Sequence, residues 1–183
     1  MNIPNLLTIL RILLIPVFVL VYYLPTSWAN IFACIIFVIA ALTDLLDGYL
    51  ARKLNQTSRL GEFLDPVADK LIVAVALVCI VQSNPNNIYL ALASAIIIGR
   101  EITVSALREW MAEIGQRKKV AVSILGKIKT ISQMVALGFL IYAENVFGIP
   151  VLMIGTCLLY IAATLTIYSM FQYLIAAWPL LKE

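Results

Sequence analysis

The sequence predicts an all-α polytopic membrane protein, a bundle of six transmembrane helices around a polar cavity open to the cytoplasmic side. Three observations carry this. Of 183 residues, 63% are hydrophobic and 13% charged, with a mean hydropathy of +1.00. A soluble domain of this size has too little interior for so much apolar surface. Six stretches approach the roughly 20 apolar residues that cross a bilayer. The charges inside them all fall toward one end.

The spans are residues 6–24, 28–50, 64–82, 88–108, 122–143 and 151–178. The first carries Arg11 inside its apolar run rather than before it, so it reads as a retained helix and not a signal peptide. Pro25 and Ser27 separate it from the second, which holds Asp44 and Asp47 after a long apolar stretch. The third opens with Asp65, Asp69 and Lys70 and then turns apolar. Because Pro66 suits a first helical turn, Asp65 is expected close to that helix's start, where the positive end of the helix would attract an anionic substrate. The turn residues 83–87 lead to the fourth span, with Arg100 and Glu101 toward its end. Lys127 and Lys129 open the fifth. Gly148 and Pro150 precede the sixth, which lacks charge and is expected to face lipid or form a dimer contact. No linker or repeat divides the chain, so residues 1–183 are expected to form one domain.

Orientation follows from basic residues, which favour the cytoplasmic side. Arg52, Lys53 and Arg59 lie in the second connection, and Arg117, Lys118 and Lys119 in the fourth. The first, third and fifth connections have no lysine or arginine. Both termini are therefore expected in the cytoplasm, and with alternating helices every intramembrane charge falls on the same side. Each such charge costs roughly 2.5–3.5 kcal/mol even on lenient insertion scales. Snorkelling explains lysine and arginine near an interface, but not short aspartates. A shared polar cavity explains both.

The residues also limit the chemistry. There is no histidine, which removes the commonest base and zinc ligand. Cys34, Cys79 and Cys157 lie in apolar runs and read as small hydrophobes rather than disulfide partners. Asp44 and Asp47 are three apart, Asp65 and Asp69 four apart, and each spacing puts a pair on one helical face. A short connection would join the two helices as an antiparallel hairpin and bring the pairs to one level. Four converging carboxylates need cations. Oxygen-only ligands select hard metals, Mg²⁺ with Mn²⁺ or Ca²⁺ as substitutes. Two ions would suit displacement at phosphorus.

Asp44-x-x-Asp47-Gly48-x-x-Ala51-Arg52, eight further residues, then Gly61-x-x-x-Asp65-x-x-x-Asp69 resembles in full the signature of CDP-alcohol phosphotransferases. The resemblance implies that Asp44, Asp47, Asp65 and Asp69 bind the metals, with Asp69 also the catalytic base. It implies that Gly48, Ala51 and Gly61 admit the cytidine nucleotide and that Arg52 contacts its phosphates. A small residue lets a ligand approach backbone, although such residues also serve helix packing. Family members commonly form homodimers.

The signature does not choose the acceptor alcohol. Asn5, Thr8 and Arg11 share an inward face of the first helix, whereas Gly99-Arg100-Glu101 and Gly126-Lys127-x-Lys129-Thr130, with Gln133 beyond, resemble stretches of bacterial phosphatidylglycerophosphate synthases. Asn5 and Thr8 are assigned to the CDP site. Arg100, Arg108, Lys127 and Lys129 could hold an acceptor phosphate, unless Arg100 merely forms a structural ion pair. The expected reaction moves a phosphatidyl group from CDP-diacylglycerol to sn-glycerol 3-phosphate in a bacterial plasma membrane, giving phosphatidylglycerophosphate and CMP. Inositol 1-phosphate is the alternative acceptor. From other classes, a divalent-metal transporter or a non-catalytic scaffold explains fewer of these residues. No feature points to nucleic acid.

Overall fold

The computed structural model describes residues 3–54, 59–116, 124–146 and 148–181. Its regular elements among these residues are all helices: α1 (Ile3–Tyr22), α2 (Ala29–Leu54), α3 (Arg59–Ser83), α4 (Ile88–Glu113), α5 (Ile124–Tyr142) and α6 (Val151–Leu181). Each helix overlaps one expected span. By length and composition α1, α4 and α6 can cross a membrane, and α2 and α5 contain shorter apolar helical stretches.

The helix ends follow from local chemistry. Asn87 caps α4 by accepting a hydrogen bond from the backbone of Leu90 at 3.1 Å. Gly115, at φ 72°, ends the same helix. There the amide of Gln116 donates to Met111 and that of Gly115 to Ala112, the paired bonds of a Schellman turn. Gly148, at φ 81°, turns the chain into α6.

One layer of the bundle is inverted relative to a soluble protein. On α1 the buried face carries Asn5, Thr8 and Arg11, whereas Leu6, Leu13 and Leu20 are exposed. On α5 Lys129 and Gln133 are buried while Ile131 is exposed, and α6 buries Thr166 and Ser169 while exposing Ile175. An aqueous protein would bury the leucines and solvate the charges. A buried charged layer beneath an apolar exterior is what a lipid solvent selects.

The polar layer does not continue through the bundle. Phe18, Phe37, Ile80, Leu90, Leu137 and Leu159 belong to one apolar core that fills the other half. A smaller cluster of Val104, Met111, Tyr173 and Ala177 joins the far ends of α4 and α6.

Two expectations need correction. First, α3 begins at Arg59, so Asp65 is its seventh residue and Pro66 lies inside the helix. Asp65 therefore gains nothing from the helix's first-turn amides. Pro66 instead removes one intrahelical hydrogen bond beside it. Second, among the described residues α1 packs more extensively against α2 and α3 than these two pack against each other. The acidic helices are joined through α1 rather than as a simple hairpin. The sixth helix packs against α5 and α4 on one face and leaves its other face, with Ile161, Phe171 and Ile175, exposed.

Gly155 shows how tightly α6 meets α5. A Cβ placed there would stand 2.9 Å from Phe139 Cβ and 3.2 Å from the carbonyl oxygen of Ala136. Small residues allow such backbone approach between membrane helices. Gly155→Val should destabilise the protein by about 1–3 kcal/mol, read as a lower thermal midpoint in detergent.

Candidate active site

Helix α1 assembles the site. Its Thr8 and Arg11 are three residues apart, hence on one face and separated by about 4.5 Å along the axis. Thr8 Oγ1 donates to Asp65 Oδ1 of α3 at 2.5 Å. Arg11 Nη1 donates to Asp44 Oδ1 of α2 at 2.8 Å. The first carboxylate of each signature half is thus fixed to one helix, within a single helical turn of the other. Thr8 and Arg11 are completely buried, and Asn5 nearly so.

Asp69 lies one turn beyond Asp65 on α3 and is exposed. It is close enough to Asp44, Arg11, Glu101 and Lys70 to feel their charges. The two halves of the signature therefore meet electrostatically as well as through α1. Gly61 is buried in the first turn of α3. Asp47, Gly48, Ala51 and Arg52 lie in the helical backbone of α2, but their side chains fall outside the described residues, as does that of Lys127 on α5.

Among the described residues no three metal-ligating side chains form a group that would hold an ion. The donor set nonetheless suits a hard divalent cation. Asp44 and Asp65 each use one oxygen for an α1 partner, which leaves the other able to ligate. All candidate donors are carboxylate oxygens.

A second polar layer lies between α4, α5 and α6. Glu101 Oε1 accepts hydrogen bonds from Lys129 Nζ and, at 3.4 Å, from Arg100 Nη1. Arg100 Nη2 donates to Ser169 Oγ at 2.9 Å, and the guanidinium lies 5.7 Å from the ring centre of Tyr173. Arg100 and Lys129 are buried. Arg108 is exposed two turns further along α4 and does not join them. Arg100 therefore does form the ion pair weighed for it above, while also meeting Lys129 across Glu101.

Ser169 and Tyr173 were not foreseen. Thr166, Ser169 and Tyr173 recur at spacings of three and four, which puts them on one face of α6. That pattern was readable in a helix passed over because it carries no charge. Nor was Arg11 given a partner. Its position opposite Asp44 depends on how α1 packs, which periodicity alone does not give.

A family model described as CDP-alcohol phosphatidyltransferase matches residues 1–178. The chain belongs to the CDP-alcohol phosphatidyltransferase family. Two curated family relatives, from Shigella flexneri serotype 5b and Escherichia coli strain K12, are each 53% identical over 176 residues. The match covers 96% of this chain and 94% of each relative. Both are named CDP-diacylglycerol--glycerol-3-phosphate 3-phosphatidyltransferase.

Proposed function

We propose that this chain is a CDP-diacylglycerol–glycerol-3-phosphate 3-phosphatidyltransferase, acting as one catalytic unit in a bacterial plasma membrane. The observation that carries the proposal is the attachment of Asp44 and Asp65 to neighbouring positions of α1. It gathers both halves of an acidic signature at the edge of an apolar bundle, in a chain similar along its length to enzymes of that name.

In this mechanism Asp44, Asp47, Asp65 and Asp69 would hold two divalent cations, Mg²⁺ or Mn²⁺. When bound, these ions neutralise the donor diphosphate and stabilise CMP as the leaving group. Asn5, Thr8, Gly48, Ala51, Arg52 and Gly61 receive the CDP moiety, while the acyl chains remain in lipid. Arg100 and Lys129, with Lys127, hold the phosphate of glycerol 3-phosphate and orient its 1-hydroxyl; Arg108, expected to share this role, lies too far along α4 to do so. Asp69 removes the proton of that hydroxyl as its oxygen attacks the lipid-linked phosphorus. The bond to CMP breaks, and phosphatidylglycerophosphate forms.

The cavity and both termini face the cytoplasm in this proposal, and the protein works as a homodimer. A metal-transport function fits less well, because an ion path would have to cross the apolar core around Phe18, Phe37 and Leu137.

The test is CMP release by purified protein given CDP-diacylglycerol, Mg²⁺ and a panel of alcohols. Glycerol 3-phosphate should support turnover, EDTA should abolish it, and added Mg²⁺ should restore it. Product formation with inositol 1-phosphate alone would replace the acceptor assignment. Metal uptake into liposomes without CMP release would favour the transporter.

A further inference from the structure

The layer between α4, α5 and α6 holds more positive than negative charge. Buried Lys129 and Arg100 share one carboxylate, Glu101, which is the most accessible of the three at 25% side-chain exposure. The layer also retains hydrogen-bonding capacity. Arg100 Nε, Gln133 Oε1 and Thr166 Oγ1 are buried and have no hydrogen-bond partner among the described residues. Gln133 lies one turn beyond Lys129 on α5, and Thr166 one turn before Ser169 on α6. Buried polar atoms are rarely left in that condition without a ligand or water to meet them.

Glu101 has somewhere else to go. With Lys70 of α3 it lines a cavity of about 290 Å³ whose other walls, including Val67, Ala74, Ile98 and Ile102, are almost wholly apolar. Lys70 makes no ion pair with Glu101 among the described residues, yet both reach the same space.

We propose that Glu101 is a placeholder for the acceptor's phosphate: it neutralises Lys129 and Arg100 in the empty site, yields them to an incoming dianion, and turns to Lys70. Charge requires the exchange. Two cations facing both Glu101 and a phosphate dianion would leave one net negative charge in a partly dry layer. With Glu101 withdrawn the cations and the dianion balance. A neutral alcohol cannot displace the carboxylate, so Glu101 selects for phosphorylated acceptors. The proposal deepens the acceptor assignment above and rests on it. Glu101 is a positioning and specificity residue rather than a catalytic one.

Kinetics of Glu101→Gln test this. With the competing charge removed, KM for glycerol 3-phosphate should fall about fivefold, equivalent to ~1 kcal/mol, with a smaller change in kcat. Inorganic phosphate should become a stronger competitive inhibitor by a similar factor. An unchanged or raised KM in a folded variant would overturn the proposal, since a merely structural Glu101 would weaken the site when lost. Should Glu101→Gln fail to fold, Lys70→Met decides. It should raise KM for the acceptor while leaving the thermal midpoint of the empty protein in place, and an unchanged KM contradicts the exchange. If the wild type releases no CMP with glycerol 3-phosphate, the acceptor assignment fails at that step. Calorimetry with inorganic phosphate alone then decides the exchange: tighter binding to Glu101→Gln supports it and equal binding rejects it.

Discussion

Asp69→Asn should lower CMP release by at least about a hundredfold, the lower bound for loss of a positioned general base, and by more if metal affinity falls too. The same substitution should leave the thermal midpoint in detergent nearly unchanged. Asp69 is exposed and makes no hydrogen bond or ion pair among the described residues, so the fold loses little with its charge. Such a split marks a side chain kept for chemistry. Near-normal turnover would remove Asp69 as the base, and a large fall in thermal midpoint would make its role structural.

Asp44→Ala should abolish activity for a different reason and with a different signature. It removes the Asp44 carboxylate from a completely buried guanidinium, that of Arg11. Breaking a buried pair by removing one partner costs about 3–5 kcal/mol, and the 36% exposure of the Asp44 side chain places the loss near the lower end. Arg11→Met should cost less, because Asp44 can be hydrated. The double variant Asp44→Ala with Arg11→Met should regain much of the stability lost in Asp44→Ala while remaining inactive. A thermal double-mutant cycle measures the coupling. Additive losses would mean that the ion pair contributes nothing to holding α1 against α2.

Most of the helical plan was legible from hydropathy, because the bilayer imposes a length and an apolar composition on every crossing segment. The acidic signature was legible too, since its spacings put Asp44 with Asp47 and Asp65 with Asp69 whatever the tertiary packing. How the two pairs come together was not legible. Periodicity says which residues share a face but not which helix that face meets, so the wedge of α1 and its Arg11–Asp44 and Thr8–Asp65 bonds emerged only from the structure. Pro66 misled for a related reason. Proline favours first turns, but α3 runs through Pro66 at the loss of one intrahelical hydrogen bond. The polar face of α6 escaped notice because three uncharged side chains barely change the hydropathy of a 31-residue helix.

Binding of Mn²⁺ to the purified protein with CDP-diacylglycerol present, followed by electron paramagnetic resonance, measures most directly whether carboxylates of α2 and α3 cooperate around cations. Wild-type protein should bind the ion, and Asp47→Ala and Asp65→Ala, on different helices, should each weaken that binding severely. Equal Mn²⁺ binding in wild type and both variants would contradict a shared metal centre, and with it the proposed chemistry.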